Sequence, residues 1–181
     1  GSSLSPDDTV GDIIKSGTLG LGYIGLAECL KSLTGKHHGE SEESQELGIE
    51  IITKMNEVVS EYKEKYHLNY SVLATPAEGL SGKFTVKDKK EFGIVDGVTD
   101  REFYTNSCHI PTYYNISAYD KIKKESVYHK LSPGGHILYV EMDTDAQKNL
   151  HAFMSIIKTM KDNNAGYGAI NVPSCRCLKC G

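Results

Sequence analysis

Apolar residues recur along this chain at two spacings, and the alternation between them sets the expected architecture. From Ser41 onward, Leu47, Ile51, Met55, Val58 and Tyr62 fall at three- and four-residue steps, with Ile52 and Val59 alongside. That spacing predicts one long helix with a core-facing stripe. Ser41, followed by Glu42 and Glu43, is its start signal. Glu57, Glu61, Lys63, Glu64 and Lys65 form its solvated face. Shorter helices are expected after the Ser5-Pro6-Asp7-Asp8 start, at residues 26–33 before Gly35, and at 83–92. Two more are expected at 118–131 behind Ser117 and at 145–162. In the last of these, Leu150, Phe153, Met154, Ile157 and Met160 share one side. Between the helices lie short β-rich runs: the glycine-containing 18–26, read as a buried strand, then 69–74, 104–111, 136–142 and 168–172. Strands alternating with helices predict an α/β fold with a largely parallel sheet covered by helices.

Composition narrows this picture without changing it. A chain of 181 residues suffices for one domain with a sizeable core. A net charge of −4 gives no general attraction to nucleic acid, and no apolar run approaches a membrane span. Gly1-Ser2 reads as a cloning remnant with no signal peptide behind it, and both ends look cut. Of the five cysteines, Cys29 and Cys108 sit alone in apolar contexts and read as core thiols, while Cys175, Cys177 and Cys180 crowd the end. That is not a secreted disulfide framework, so a reducing cytoplasm is expected. Gly20, Gly22 and Gly25 spell G-x-G-x-x-G, but no strand long enough precedes the first glycine and a long helix, not a strand ending in an acid, follows, so the dinucleotide fingerprint is set aside. His37 and His38 point in different directions and read as a solvated or hydrogen-bonded loop rather than a metal site.

The stretch with the most chemistry follows the run 69–74. Pro76 pushes Thr75 into an extended conformation and itself suits the first position of a helix. Thr75 then reads as an N-cap, with Glu78 at the capping-box position. A strand, a sharp turn and a helix N-terminus present backbone N–H groups, here those of Ala77 and Glu78, to an incoming phosphate. Gly79, Ser81 and Gly82 would allow close approach, and Lys83 adds positive charge. The alternative stays open: many capped helices bind nothing, and a carboxylate at Glu78 competes with an anion.

Several blocks occur together in order: Gly17-Thr18-Leu19, Tyr23-Ile24-Gly25-Leu26-Ala27-Glu28, Gly35-Lys36-His37-His38-Gly39-Glu40-Ser41, Ala74-Thr75-Pro76-Ala77-Glu78-Gly79-Leu80-Ser81-Gly82, Gly97-Val98-Thr99-Asp100-Arg101-Glu102, Tyr104-Thr105-Asn106-Ser107 and Gly166-Tyr167-Gly168. In this combination the chain resembles the anaerobic, glycyl-radical ribonucleoside-triphosphate reductases over nearly its whole length. The resemblance implies a piece from the C-terminal half of a larger protein. Residues 1–174 would form much of the second half of a ten-stranded β/α barrel, and 175–181 the start of a truncated zinc-binding segment. It implies that Thr75, Ala77, Glu78, Gly79, Leu80 and Ser81 bind substrate phosphates. Glu78 has two candidate roles: closing the capping box, or serving catalysis beside the substrate ribose. Cys177 and Cys180 would supply two ligands of a structural zinc.

The implied activity is anaerobic reduction of ribonucleoside triphosphates by glycyl and thiyl radical chemistry in a cytoplasmic homodimer. A radical-SAM activating enzyme would be the partner and formate a possible reductant. Neither Met-Gly-Cys nor Arg-x-x-Gly-Tyr occurs in the chain, so the radical glycine would lie outside it and the chain alone is expected to be inactive. Two rival readings remain: a glycyl-radical lyase of the pyruvate formate-lyase kind, and a non-catalytic phosphate-binding module.

Overall fold

A computed structural model describes residues 5, 7, 9–142 and 148–171 of the chain. After α1 (Val10–Ser16), strand β1 (Thr18–Tyr23) pairs in parallel with β2 (Asn69–Ala74), in register from Thr18↔Asn69 to Tyr23↔Ala74. The crossover between them carries α2 (Leu26–Thr34) and α3 (Glu42–Tyr66). Next come α4 (Gly79–Phe92), a long irregular stretch, and α5 (Ala118–Ser126). A second parallel pair, β3 (Leu138–Glu141) with β4 (Gly168–Asn171), is bridged by α6 (Leu150–Asp162). The expected α/β class with parallel strands and helical crossovers is therefore present. Among the described residues, no helix is long and apolar enough to cross a membrane.

Among the described residues the two pairs are joined by one bridge, Leu73↔Gly135. There the Gly134 N–H donates to the Val72 carbonyl (2.8 Å) and the Ala74 N–H donates to the Gly135 carbonyl (3.0 Å). The approach depends on glycine, because a Cβ at Gly134 would lie 2.7 Å from the Val72 oxygen. In β3 the edge facing away from β4 is engaged by a side chain: the Tyr139 carbonyl accepts from Lys121 Nζ at 2.9 Å. So β2 and β3 part beyond the bridge, at their carboxyl ends.

One core cluster joins Tyr23, Leu26, Leu30, Ile52, Val59, Val72 and Tyr128. A smaller one holds Ile122, Leu138 and Val140 under α6. Several expectations are corrected here. β1 is exposed along all but its last residue, because its glycines offer nothing to pack and Leu19 and Leu21 stay in the open. The long helix turns its Ser44, Gly48, Ile52 and Val59 line inward, so Leu47, Ile51 and Met55 only flank the core and Tyr62 is exposed. Gly48 marks that line, since a Cβ there would meet the Tyr128 hydroxyl at 2.5 Å. The first helix begins at Val10 and the last at Leu150, where Asn149 accepts from the Ala152 N–H. Helix α5 ends at Ser126 and tightens into i→i+3 turns through Ser132.

Cys29 is exposed, whereas Cys108 is buried as expected. Of the two readings for His37 and His38, the hydrogen-bonded one holds and the solvated one does not, since both are buried. His37 Nδ1 accepts the Gly39 N–H, and His38 Nε2 meets the Cys108 carbonyl at 2.9 Å.

Residues 104–111 form no strand, because their backbone groups are bound elsewhere. The carbonyls of Thr105 and Ser107 accept the Gly25 and Leu26 N–H groups, at 2.8 and 3.3 Å. Glu28 Oε1 takes both the N–H and the hydroxyl of Thr105, at 2.9 and 2.6 Å. The segment thus lies across the N-terminus of α2.

Candidate functional site

A cleft of about 410 Å3 opens where β2 and β3 part, lined by Leu73, Glu78, Asn106, His109, Tyr139 and Tyr167 among others. Open α/β sheets place ligands in this kind of crevice, beyond the carboxyl ends of the strands. An adjoining hollow of about 600 Å3 shares Asn106, His109 and Tyr139 with it and adds Arg101. The Arg101 guanidinium lies 3.5 Å from the centroid of the Tyr113 ring.

The Thr75–Ser81 turn forms one wall, but the capping expected there is absent. Helix α4 begins at Gly79, with Glu78 before it at φ 41° and ψ −120° and no side-chain cap. Thr75 instead leans back, its Oγ1 3.4 Å from the Leu73 carbonyl, in space that Gly22 leaves free. A Cβ at Gly22 would lie 2.2 Å from that hydroxyl. The Ala77 N–H is not free, because it donates to Asn106 Oδ1 at 2.9 Å. Ser81 braces the turn through its hydroxyl, which donates to the Glu78 carbonyl at 2.7 Å. Among the described residues, the N–H groups of Glu78, Gly79 and Ser81 donate to no protein acceptor.

The first turn of α4 carries no acid, and a Cβ at Gly79 would touch nothing within 4 Å. The N–H groups left without an acceptor are therefore those of Glu78, Gly79 and Ser81, whereas that of Ala77 is engaged. A glutamate held at positive φ costs on the order of 1–3 kcal/mol, and the Asn106 bond and Ser81 brace maintain it.

The opposite wall was not foreseen in the sequence. Asn106 and His109 belong to one tight turn, closed by the His109 N–H on the Asn106 carbonyl (3.0 Å), with Ser107 at φ 42°. His109 Nδ1 lies 3.0 Å from Oε2 of the fully buried Glu125. Glu125 Oε1 accepts from the Ile110 N–H at 2.7 Å and from Lys121 Nζ at 2.6 Å. Burial works to raise the Glu125 pKa, but the His109 hydrogen bond and the Lys121 charge outweigh it and hold the group ionised. Burial, aided by the Glu125 charge, pushes the Cys108 thiol up to about 12, so Cys108 is no activated nucleophile.

The signal for Glu125 was present: it continues the Ala118 and Ile122 face of α5, where a carboxylate needs a partner. Cys175, Cys177 and Cys180 lie outside the described residues. Among those described, no group of three His, Cys, Asp or Glu side chains could hold a metal ion.

Comparison with known proteins adds a family context. The family model described as anaerobic ribonucleoside-triphosphate reductase matches residues 1–181. The chain is 36% identical over 184 residues to the anaerobic ribonucleoside-triphosphate reductase of Escherichia coli K12, covering 100% of this chain and 26% of the relative. It is also 36% identical over 183 residues to the enzyme of that name from Enterobacteria phage T4, covering 100% of this chain and 28% of the relative. The chain thus spans about a quarter of the length of these relatives. Its fold is similar to that in a crystal structure of the anaerobic ribonucleotide reductase from Thermotoga maritima with dATP bound in the specificity site. The TM-score is 0.71 at 21% identity, over 91% of this chain and 29% of that one.

Proposed function

Because the chain belongs to the anaerobic ribonucleoside-triphosphate reductase family, we propose that the protein containing it reduces ribonucleoside triphosphates to deoxyribonucleotides, and that this segment holds the substrate phosphates. The observation that carries the second part is the open start of α4: it follows directly on the cleft-lining Glu78, its first N–H groups are uncapped, and its first turn holds no acid. The phosphates sit on the Gly79 and Ser81 N–H groups, with Thr75, Ala77 and Leu80 shaping the turn. Glu78 caps nothing and lines the cleft, which supports the second of its two roles, a carboxylate serving proton transfer beside the substrate ribose.

The family reading brings further expectations. β1 to β4 are staves of a ten-stranded barrel completed by the rest of the protein. Cys177 and Cys180 supply two ligands of a structural zinc. A glycyl radical outside the chain supplies the one-electron chemistry, installed by a radical-SAM activating enzyme. Formate as reductant, a homodimeric assembly and a cytoplasmic location belong to the same reading. The family match weighs against the lyase reading, and the breadth of the match weighs against an isolated phosphate-binding module.

The test is nucleotide binding by the full-length protein. Gly79→Ala adds a methyl group in open space, so the helix tolerates it and a loss of affinity reports on the ligand. Weakening of CTP binding by about tenfold, which is about 1.4 kcal/mol, is expected for Gly79→Ala combined with Ser81→Ala. Unchanged affinity in the double variant overturns the phosphate reading. Glu78→Gln is expected to retain binding and lose turnover.

A further inference from the structure

We infer that His109 is a second anion ligand in the cleft, opposite the start of α4 and held in place by Glu125. This deepens the phosphate reading and rests on it. The geometry begins with Glu125, a carboxylate wholly out of solvent on α5, which must be paired to stay ionised. Its partners are the Ile110 N–H, Lys121 Nζ and His109 Nδ1. An ionised carboxylate only accepts hydrogen bonds, so the proton of a neutral His109 resides on Nδ1. Nε2 is left over, and among the described residues it has no protein partner.

The ring borders both the cleft and the adjoining hollow, and its side chain is 12% exposed. It is fixed on three sides: Nδ1 by Glu125, the main chain by the Asn106 carbonyl, and the ring by Tyr139 at 5.5 Å between centroids. Asn106 in turn bonds the Ala77 N–H of the opposite wall. The same short turn therefore positions both the histidine and the uncapped helix start. A core histidine filling space, as His38 does, is closed off from solvent; His109 is oriented and left open.

An imidazolium at His109 donates from Nε2 to an anion, while the neutral ring offers only a lone pair. Several charged and titratable groups surround it. Glu125 and the cleft-lining Glu78 are its acidic neighbours, and Lys121 is the basic one. His136, Tyr139 and Tyr167 line the same cleft. Burial, with the neighbouring His136, holds His129 down to about 4, so it carries no charge at neutral pH.

The experiment titrates the full-length protein with inorganic tripolyphosphate between pH 8 and pH 6 at fixed ionic strength. Wild type and His109→Gln are compared, so that protonation of the ligand itself cancels. Glutamine keeps a donor for Glu125. Wild type is expected to gain affinity over the variant as pH falls, reaching about tenfold or more at the acid end. Glu125→Gln, which alters the group that holds Nδ1, is expected to reduce this gain in the wild-type background and to change nothing in the His109→Gln background, a dependence that loss of packing alone does not produce. If Glu125→Gln does not fold, His109→Gln alone decides.

Equal affinity of His109→Gln and wild type at every pH overturns the inference. If His109→Gln is silent while Gly79→Ala with Ser81→Ala weakens binding, the inference fails and the phosphate reading of the turn stands. If His109→Gln loses the pH-dependent gain while the turn variants are silent, the turn reading fails and the anion is held from the His109 side.

Discussion

Ser41, Thr75 and Ser117 each put a hydroxyl residue at the start of a helical pattern, and they do not behave alike. At Ser41 and Ser117 the hydroxyl accepts the N–H three residues on, from Ser44 at 3.1 Å and from Asp120 at 3.0 Å. At Thr75 the hydroxyl turns back over Gly22, and the helix starts only at Gly79. The local signal is the same; the surroundings differ. Where nothing competes, the cap forms. Where Asn106 reaches in from a distant segment and takes the Ala77 N–H, the cap is displaced. A capped start has its donors engaged, whereas an uncapped start has them to offer. Loss of the cap is therefore the structural condition for the proposed phosphate site.

The largest way to break this comparison is acid. The Asn106-bearing segment is anchored partly by buried His38, on the Cys108 carbonyl. Burial outweighs that hydrogen bond and holds His38 down to about 4, and His129 is depressed similarly. Below the ordinary histidine pKa of about 6.5, the unfolded chain binds protons that the folded chain refuses. Stability is therefore full above that pH and falls as pH drops toward about 4, by several kcal/mol for the two groups together. Hydrogen exchange should show Ala77 losing protection across this window before Asp120 does. Equal loss at both sites would show that the turn does not depend on the distant anchor.

Next in size is Asn106→Ala. It strands the N–H of buried Ala77 and should cost about 1–3 kcal/mol in urea unfolding, together with nucleotide affinity in the full-length protein. Ser117→Ala sharpens the other side of the comparison. It removes a working cap and should cost about 1 kcal/mol, with no effect on nucleotide affinity.

The same contrast explains what could be read in advance. Strand β2 occupies its expected residues, because Tyr70, Val72 and the flanking signals are local. Ser41 starts the long helix, because its cap partner lies three residues away. The composition of the 104–111 segment suits a strand, but its backbone groups are taken by Glu28 and the start of α2, far away in sequence. The site was legible to the same extent. The Thr75–Ser81 turn was recognisable as a strand-to-helix junction. Its other wall depends on the pairs Asn106–Ala77 and His109–Glu125, which are separated by 29 and 16 residues and leave no local spacing pattern. The one advance hint was a carboxylate on the apolar face of a helix, at Glu125 and again at Glu28 on α2.

The smallest predicted effect is the most discriminating. Read as an N-cap, Thr75 would lose about 1 kcal/mol on replacement by alanine. In the folded chain its hydroxyl caps nothing, and its one bond, to the Leu73 carbonyl, is long at 3.4 Å. The backbone N–H of Thr75, which alanine keeps, already extends the β1–β2 ladder by donating to the Tyr23 carbonyl at 3.3 Å. Thr75→Ala should therefore cost about 0.5 kcal/mol or less, the range of substitutions that disturb no special contact. It should also leave the start of α4 in place, since Asn106 and Ser81 hold that start without it. Gly22→Ala provides the converse, because its methyl group would displace the Thr75 hydroxyl from the space it fills. Urea unfolding of Thr75→Ala beside Ser117→Ala is the direct measurement. A cost for Thr75→Ala equal to that for Ser117→Ala would mean that Thr75 caps the helix after all, and that the N–H groups assigned to the phosphate are not free.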